Sequence, residues 1–193
     1  MENMLVDKII QKVQSHIEKL EQRRKTEHDS DKKFLLGALR NILRHALANL
    51  SIFYCKELQD VQQLNYKTKR GSTISIPLDR TFLDRSLRRL LILDIWGQLE
   101  FYYSKKVPGS DKMLASGIVQ SYYQQKGASV PDEVTFIRET RNCLHGNGIY
   151  SPSKSRIDAT IDSTQYSLLP GQEVDFVDYQ FILSTINTTL NLL

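Results

Sequence analysis

Cysteine is scarce in this chain: Cys55 and Cys143 are the two it has. A pair so far apart makes neither a disulfide framework nor a zinc signature, which excludes the small, bridge-stapled folds. Long apolar runs are missing too, with none approaching the ~18 residues of a membrane span. The opening Met1-Glu2-Asn3-Met4 has no basic stretch followed by an apolar one, so no secretory leader is expected. These absences predict a soluble protein of the reducing cytoplasm, with no membrane partner. No internal repeat or low-complexity linker breaks the chain into modules.

What is present suits one domain covering 1–193, long enough to bury a sizeable core. Its 40% hydrophobic and 25% charged residues are ordinary for a globular protein. A net charge of +4 permits an anionic partner without demanding one. Basic residues cluster at Arg23-Arg24-Lys25, Lys67 with Lys69-Arg70, Arg88-Arg89 and Lys105-Lys106, and solvated helix faces or loops account for each taken singly.

Hydrophobic spacing predicts helices over most of the chain. Leu5, Ile9, Val13, Ile17 and Leu20 recur every three or four residues, giving an amphipathic helix over about 3–25. Residues 1–28 either join the core or reach a partner. The break Glu27-His28-Asp29-Ser30-Asp31 supplies N-caps for a second helix, striped by Leu35, Leu39, Ile42, Ala46, Leu50 and Phe53 and running to about Leu64. Lys67 to Pro77 reads as a loop with a short extended piece. Asp79 or Thr81 starts a third helix, whose apolar residues include Phe82, Leu83, Leu87, Leu90, Leu91, Ile95, Leu99 and Tyr102; Pro108-Gly109-Ser110 breaks the chain, and a short helix follows over about 111–125. Pro131-Asp132-Glu133 opens the next helix, with proline and acids where helix polarity prefers them. Arg156 to Asp162 alternates with period two, and Pro170-Gly171 offers a turn, so a small β-hairpin is expected before a last helix over 177–193. The expected fold is an all-α helical bundle with one small hairpin ahead of the C-terminal helix.

The informative segment is Phe136-Ile137-Arg138-Glu139-Thr140-Arg141-Asn142-Cys143-Leu144-His145-Gly146-Asn147-Gly148. With Ile137 at zero and about 100° per residue, Arg141, His145 and Arg138 fall near 40°, 80° and 100°. Val134 and Leu144 define an apolar face between about 340° and 60°, so the cationic stripe shares or borders a face expected to pack inward. A merely solvated charge run would sit opposite. Arginine holds phosphate through a planar, permanently charged fork and can stabilise a pentacoordinate transition state. Histidine takes or gives a proton near neutral pH. In RNA the neighbouring 2′-hydroxyl can be the nucleophile, leaving a 2′,3′-cyclic phosphate and a 5′-hydroxyl. Asn142 is placed for a supporting hydrogen bond, and Gly146 and Gly148 end the helix and admit a close backbone approach.

Arg138-x6-His145, with Arg141-Asn142 inside it and Gly146 after it, resembles the R-x4–6-H motif of the HEPN superfamily. Arg141-Asn142-Cys143-Leu144-His145-Gly146-Asn147-Gly148 also resembles the motif-helix ending and Asn-Gly loop of several HEPN groups. The motif covers about ten residues, and the helical order around it extends more loosely over 30–193. The resemblance implies an all-α, metal-independent, cofactor-free endoribonuclease of toxin–antitoxin or other defence systems. It also implies a homodimer whose two Arg–His sets face one cleft, RNA as substrate, and an antitoxin or other defence partner. Arg138, Arg141 and His145 would be catalytic, with Asn142 and Gly146 supporting them. Family members usually have three residues between the Arg-Asn pair and the histidine, where this chain has Cys143-Leu144. Either arginine can therefore be the phosphate-binding one. The contracted spacing equally suits a non-catalytic HEPN-like module that binds RNA, a nucleotide or a protein. A purely structural helical domain is the third reading.

Arg40-Asn41-Ile42-Leu43-Arg44-His45 matches Arg-Asn-x3-His at the usual spacing. Arg40 and His45 lie about 140° apart on their helix, however, straddling the apolar stripe, and no glycine follows. His16 and His28 read as surface or helix-end residues.

Overall fold

A computed structural model describes residues 2–53, 63–67, 71–77, 79–151 and 153–192. Among these, the chain runs α1 (Glu2–Thr26), α2 (Ser30–Phe53), β1 (Gln63–Lys67), β2 (Thr73–Pro77), α3 (Arg80–Lys106), α4 (Ala115–Gln125), α5 (Asp132–His145), β3 (Ile157–Ile161), β4 (Thr164–Leu168) and α6 (Tyr179–Leu192). A short 3-10 turn, Ser110–Lys112, precedes α4. The molecule is mostly helical, as the periodicity predicts. Cys55, the 54–62 part of the predicted second helix and the Lys69-Arg70 pair lie outside the described residues.

Capping starts the helices where the sequence places polar residues. The Asp29 carboxylate accepts from the N–H groups of Asp31 and Lys32 at 2.9 and 3.1 Å and opens α2. Asp79 accepts from Phe82 N–H at 2.9 Å to open α3, and Asp178 from Phe181 N–H at 2.7 Å to open α6.

α1 packs on α2, α2 on α3, and α6 closes the group by touching α1 and α3. Val13 and Leu20 put α1 inside the core with Leu35, Leu39, Leu43 and Leu50 of α2. α4 and α5 pack against α3, and β3 lies against α5 and α6. α6 is buried on nearly every side, from Tyr179 through Phe181, Ile182, Leu183 and Ile186 to Leu190. Such a helix supports its neighbours rather than facing solvent on one side.

Three expectations change. The second helix does not reach Leu64, because Gln63–Lys67 pairs antiparallel with Thr73–Pro77, Leu64 opposite Ile76. Among the described residues there are therefore two antiparallel strand pairs where one hairpin was expected. The second hairpin turns at Asp162-Ser163, not at Pro170-Gly171: Ile161 faces Thr164 and Ile157 faces Leu168. Asp162 and Ser163 both adopt positive φ (47° and 70°), the conformation a two-residue hairpin loop requires. Pro170-Gly171 instead folds the chain back onto the segment after α5. There the Tyr150 N–H donates to the Gln172 carbonyl, Gly171 N–H to that of Tyr150, and Val174 N–H to that of Gly148, at 2.8–2.9 Å. Phe82 and Leu90, read as part of the α3 stripe, are exposed, whereas Leu91, Ile95, Leu99 and Tyr102 are core.

Candidate functional site

α5 is held by an inner face that includes more than Val134, Ile137 and Leu144. Phe136, Glu139, Thr140 and Cys143 are buried as well. At about 100° per residue the buried sector runs from Glu139, near 200°, through Thr140 near 300° to Val134 near 60°. His145, Arg138 and Asn142 occupy the remaining sector, from about 80° to about 140°, and Arg141, near 40°, lies just inside the edge of the buried one. Of the two placements expected, sharing or bordering the inward face, the stripe takes the second, with the half-buried Arg141 at the edge. Counting Phe136 and Cys143 with the apolar residues of the segment would have moved the predicted face. Below, Phe136 packs on Phe176 at 5.8 Å and Tyr166 at 6.4 Å, and both of these rings meet Phe181 of α6. This aromatic layer fixes the rotation of α5 and so the direction of its outer residues.

His145 is exposed, and both arginines are half-buried. Arg141 donates to the Asn142 side-chain oxygen at 3.1 Å and has no carboxylate partner among the described residues. Arg138 lies 3.4 Å from Glu139. Asn142 is therefore the side chain that steadies Arg141, and Arg141 stands one helical turn before His145. These two share an accessible rim, and the structure brings them together, whereas Arg138 leans toward Glu139.

Glu139 escaped sequence reasoning. The residue is 8% exposed, and its carboxylate is served by Lys154 at 2.5 Å as well as by Arg138. A carboxylate so deep needs such partners. Its bond and charge raise the Lys154 ammonium above its ordinary value. Burial first, and the Glu139 charge second, push the Cys143 thiol up, so Cys143 is a packing residue rather than a ready nucleophile. A lone acid inside the motif was the available signal; nothing in the sequence ties it to Lys154.

The helix ends in two steps. Gly146 N–H returns to the Asn142 carbonyl at 3.2 Å, with a negative φ of −82°. Gly148 carries the left-handed turn, at φ +79°, and its N–H reaches the Cys143 carbonyl at 2.8 Å. Gly146 thus caps the helix, and Gly148 makes the turn away from it. Gly148 also meets a residue from α3: a Cβ added there would lie 3.2 Å from Arg89 Nη1. The basic pair Arg88-Arg89 divides its work. Arg88 donates to the Val177 carbonyl at 2.7 Å, while Arg89 turns to Glu173.

The competing motif is taken apart by the fold. Arg40 bonds to Glu21 of α1 and, at 3.1 Å, to Asn41. His45 points elsewhere, into a groove of about 510 Å³ between α2 and α3 lined by Phe34, Asn41, Asp94 and Gln98. Arg24 and Arg40 together hold the Glu21 carboxyl down to about 2. Arg40 is thus a structural cation. His16 Nδ1 is bonded to the Lys12 carbonyl at 2.8 Å, a local helix contact. Among the described residues no group of three or more His, Cys, Asp or Glu could hold a metal ion, and no helix is long and apolar enough to cross a membrane.

No protein-family model, curated protein or solved structure matches the chain.

Proposed function

We propose that the chain is a metal-independent endoribonuclease of HEPN type, working from the rim of α5. The observation that carries the reading is the Arg141–His145 pair: one turn apart, accessible, without an acidic partner among the described residues and followed at once by a glycine turn. Arg141 holds the scissile phosphate, and His145 accepts the proton of the attacking 2′-hydroxyl. Phosphorus gains the bond to the 2′-oxygen and loses the bond to the 5′-oxygen, which leaves as a hydroxyl after taking a proton from water. The products are a 2′,3′-cyclic phosphate and a 5′-hydroxyl. Arg138, tied to Glu139, is the second arginine and supports charge at the edge of the site. Two copies facing one cleft would double the cationic rim, and an antitoxin or other defence partner would cover it.

Wild type should cleave RNA in EDTA, and His145→Ala should not. Cleavage by His145→Ala at the wild-type rate would overturn the reading. One observation favours a binding module instead: Arg138, the arginine at the family's spacing from His145, lies 3.4 Å from Glu139, which leaves the histidine the contracted Arg141 spacing. Salt-dependent RNA binding without any cleavage would select that reading.

A further inference from the structure

Beside the end of α5, one carboxylate serves two arginines. Arg89 Nη2 donates to Glu173 Oε1 at 2.8 Å, and Arg85 Nη1 lies 3.3 Å from the same oxygen. Two cations against one anion leave a positive charge in excess. Glu139 repeats the arrangement with Arg138 and Lys154. Surplus positive charge therefore gathers around the α5 terminus, where Arg141 has no carboxylate partner among the described residues.

The Arg85–Arg89–Glu173 group is built onto the same turn as His145. Arg89 lies against Gly148, three residues past the histidine. Ile149 pairs with Glu173 in an antiparallel bridge, and Val174 N–H donates to the Gly148 carbonyl at 2.8 Å. The acid and the turn thus move as one piece. Arg85 and Glu173 keep 46% and 49% of their side chains exposed, so the pair is reachable from solvent and weakly held.

We propose that Arg85 and Arg89 hold a second backbone phosphate of a single-stranded RNA. Glu173 is their resident counter-ion, standing where that phosphate binds and displaced by it. This rests on the reading that the end of α5 faces RNA. The class of ligand follows from the chemistry: two guanidinium forks around one oxyanion fit a phosphodiester. Glu173 then limits affinity, since an incoming phosphate must compete with a tethered carboxylate.

The test is binding of a fluorescein-labelled 2′-O-methyl RNA of about twelve nucleotides, a length within single-strand site sizes. Its capped 2′-oxygen keeps cleavage out of the measurement. Glu173→Gln should bind about two- to fivefold more tightly than wild type at low salt, the value of one exposed ion pair. Its salt dependence should steepen by about 0.7 per phosphate gained. Arg89→Ala should bind more weakly with a shallower slope, and Arg89→Lys should restore much of the loss. A partly unfolded variant cannot mimic tighter binding, so Glu173→Gln is the decisive arm. Unchanged or weaker binding by Glu173→Gln, with a folded circular-dichroism spectrum, overturns the proposal even if wild type cleaves RNA. Tighter binding by Glu173→Gln in a protein that cleaves nothing sustains the proposal and sinks the catalytic reading alone.

Discussion

Gly148→Ala loads two separable costs onto one carbon. The first is conformational: at φ +79° an L-residue is disfavoured by about 1–2 kcal/mol, offset by about 0.4–1 kcal/mol because alanine restricts the unfolded chain. The second is contact. The new Cβ would lie 3.2 Å from Arg89 Nη1, so the guanidinium must give by a few tenths of an ångström while bonded to Glu173. Breaking that exposed pair costs about 0.2–1 kcal/mol. The sum is about 1.5 kcal/mol, a drop of roughly 3–6 °C in melting temperature for a chain of this size. Gly127→Ala is the control, since Gly127 sits at φ +68° with nothing within 4 Å of its would-be Cβ. It should lose the conformational part alone. Urea unfolding of both variants, in wild-type and Arg89→Ala backgrounds, makes a double-mutant cycle. The excess at Gly148 should vanish once Arg89 is removed. If Gly148→Ala costs no more than Gly127→Ala, or if the excess survives in Arg89→Ala, the Arg89 contact is not what presses on the turn.

Two further outcomes follow from the packing and the ion pairs. Arg24 and Arg40 lower the Glu21 carboxyl from its ordinary 4.5 to about 2. A folded-state value below the unfolded one gives stability that is complete above the unfolded value and is lost as pH falls through the folded one. The gap in urea midpoint between wild type and Glu21→Gln should therefore close between about pH 5 and pH 2; a gap constant over that range would contradict the pairing. Phe181, fully buried between Tyr166 and Phe176 at 4.9 and 5.1 Å, should cost about 3–5 kcal/mol on truncation to alanine by guanidinium unfolding, and a loss below about 1 kcal/mol would refute its place in the layer under α5.

Most helices were legible because each carries its own periodic stripe and start signal. Leu35, Leu39, Ile42, Ala46 and Leu50 are all core, and Asp29 and Asp79 cap the helices they precede. Partners distant in the chain were not legible. Pro170-Gly171 is a turn signal, but only pairing with residues 148–150 decides what it turns toward. Asp162-Ser163 lacks glycine, so its left-handed backbone gave no hint in the residue types. At the site, Arg141, Asn142 and His145 share a rim as helical geometry dictates, whereas Glu139–Lys154 and Arg89–Gly148 join residues that no spacing rule connects. Leu90 belonged to a plausible stripe yet faces out, because α3 packs against four other helices and its inner faces are set by all of them.

The burial of α6 bears on how the molecule comes into being. α5 leaves the ribosome well before Tyr179–Leu192, and at about 5–20 residues per second the interval lasts seconds. During it the aromatic layer lacks Phe181, and α1 lacks the contacts from Lys12 to Gln180 and from Arg23 to the Leu190 carbonyl. Contacts spanning so much of the chain form late and slowly. The Arg141–His145 rim therefore has no finished platform until Tyr179–Leu192 has emerged behind it.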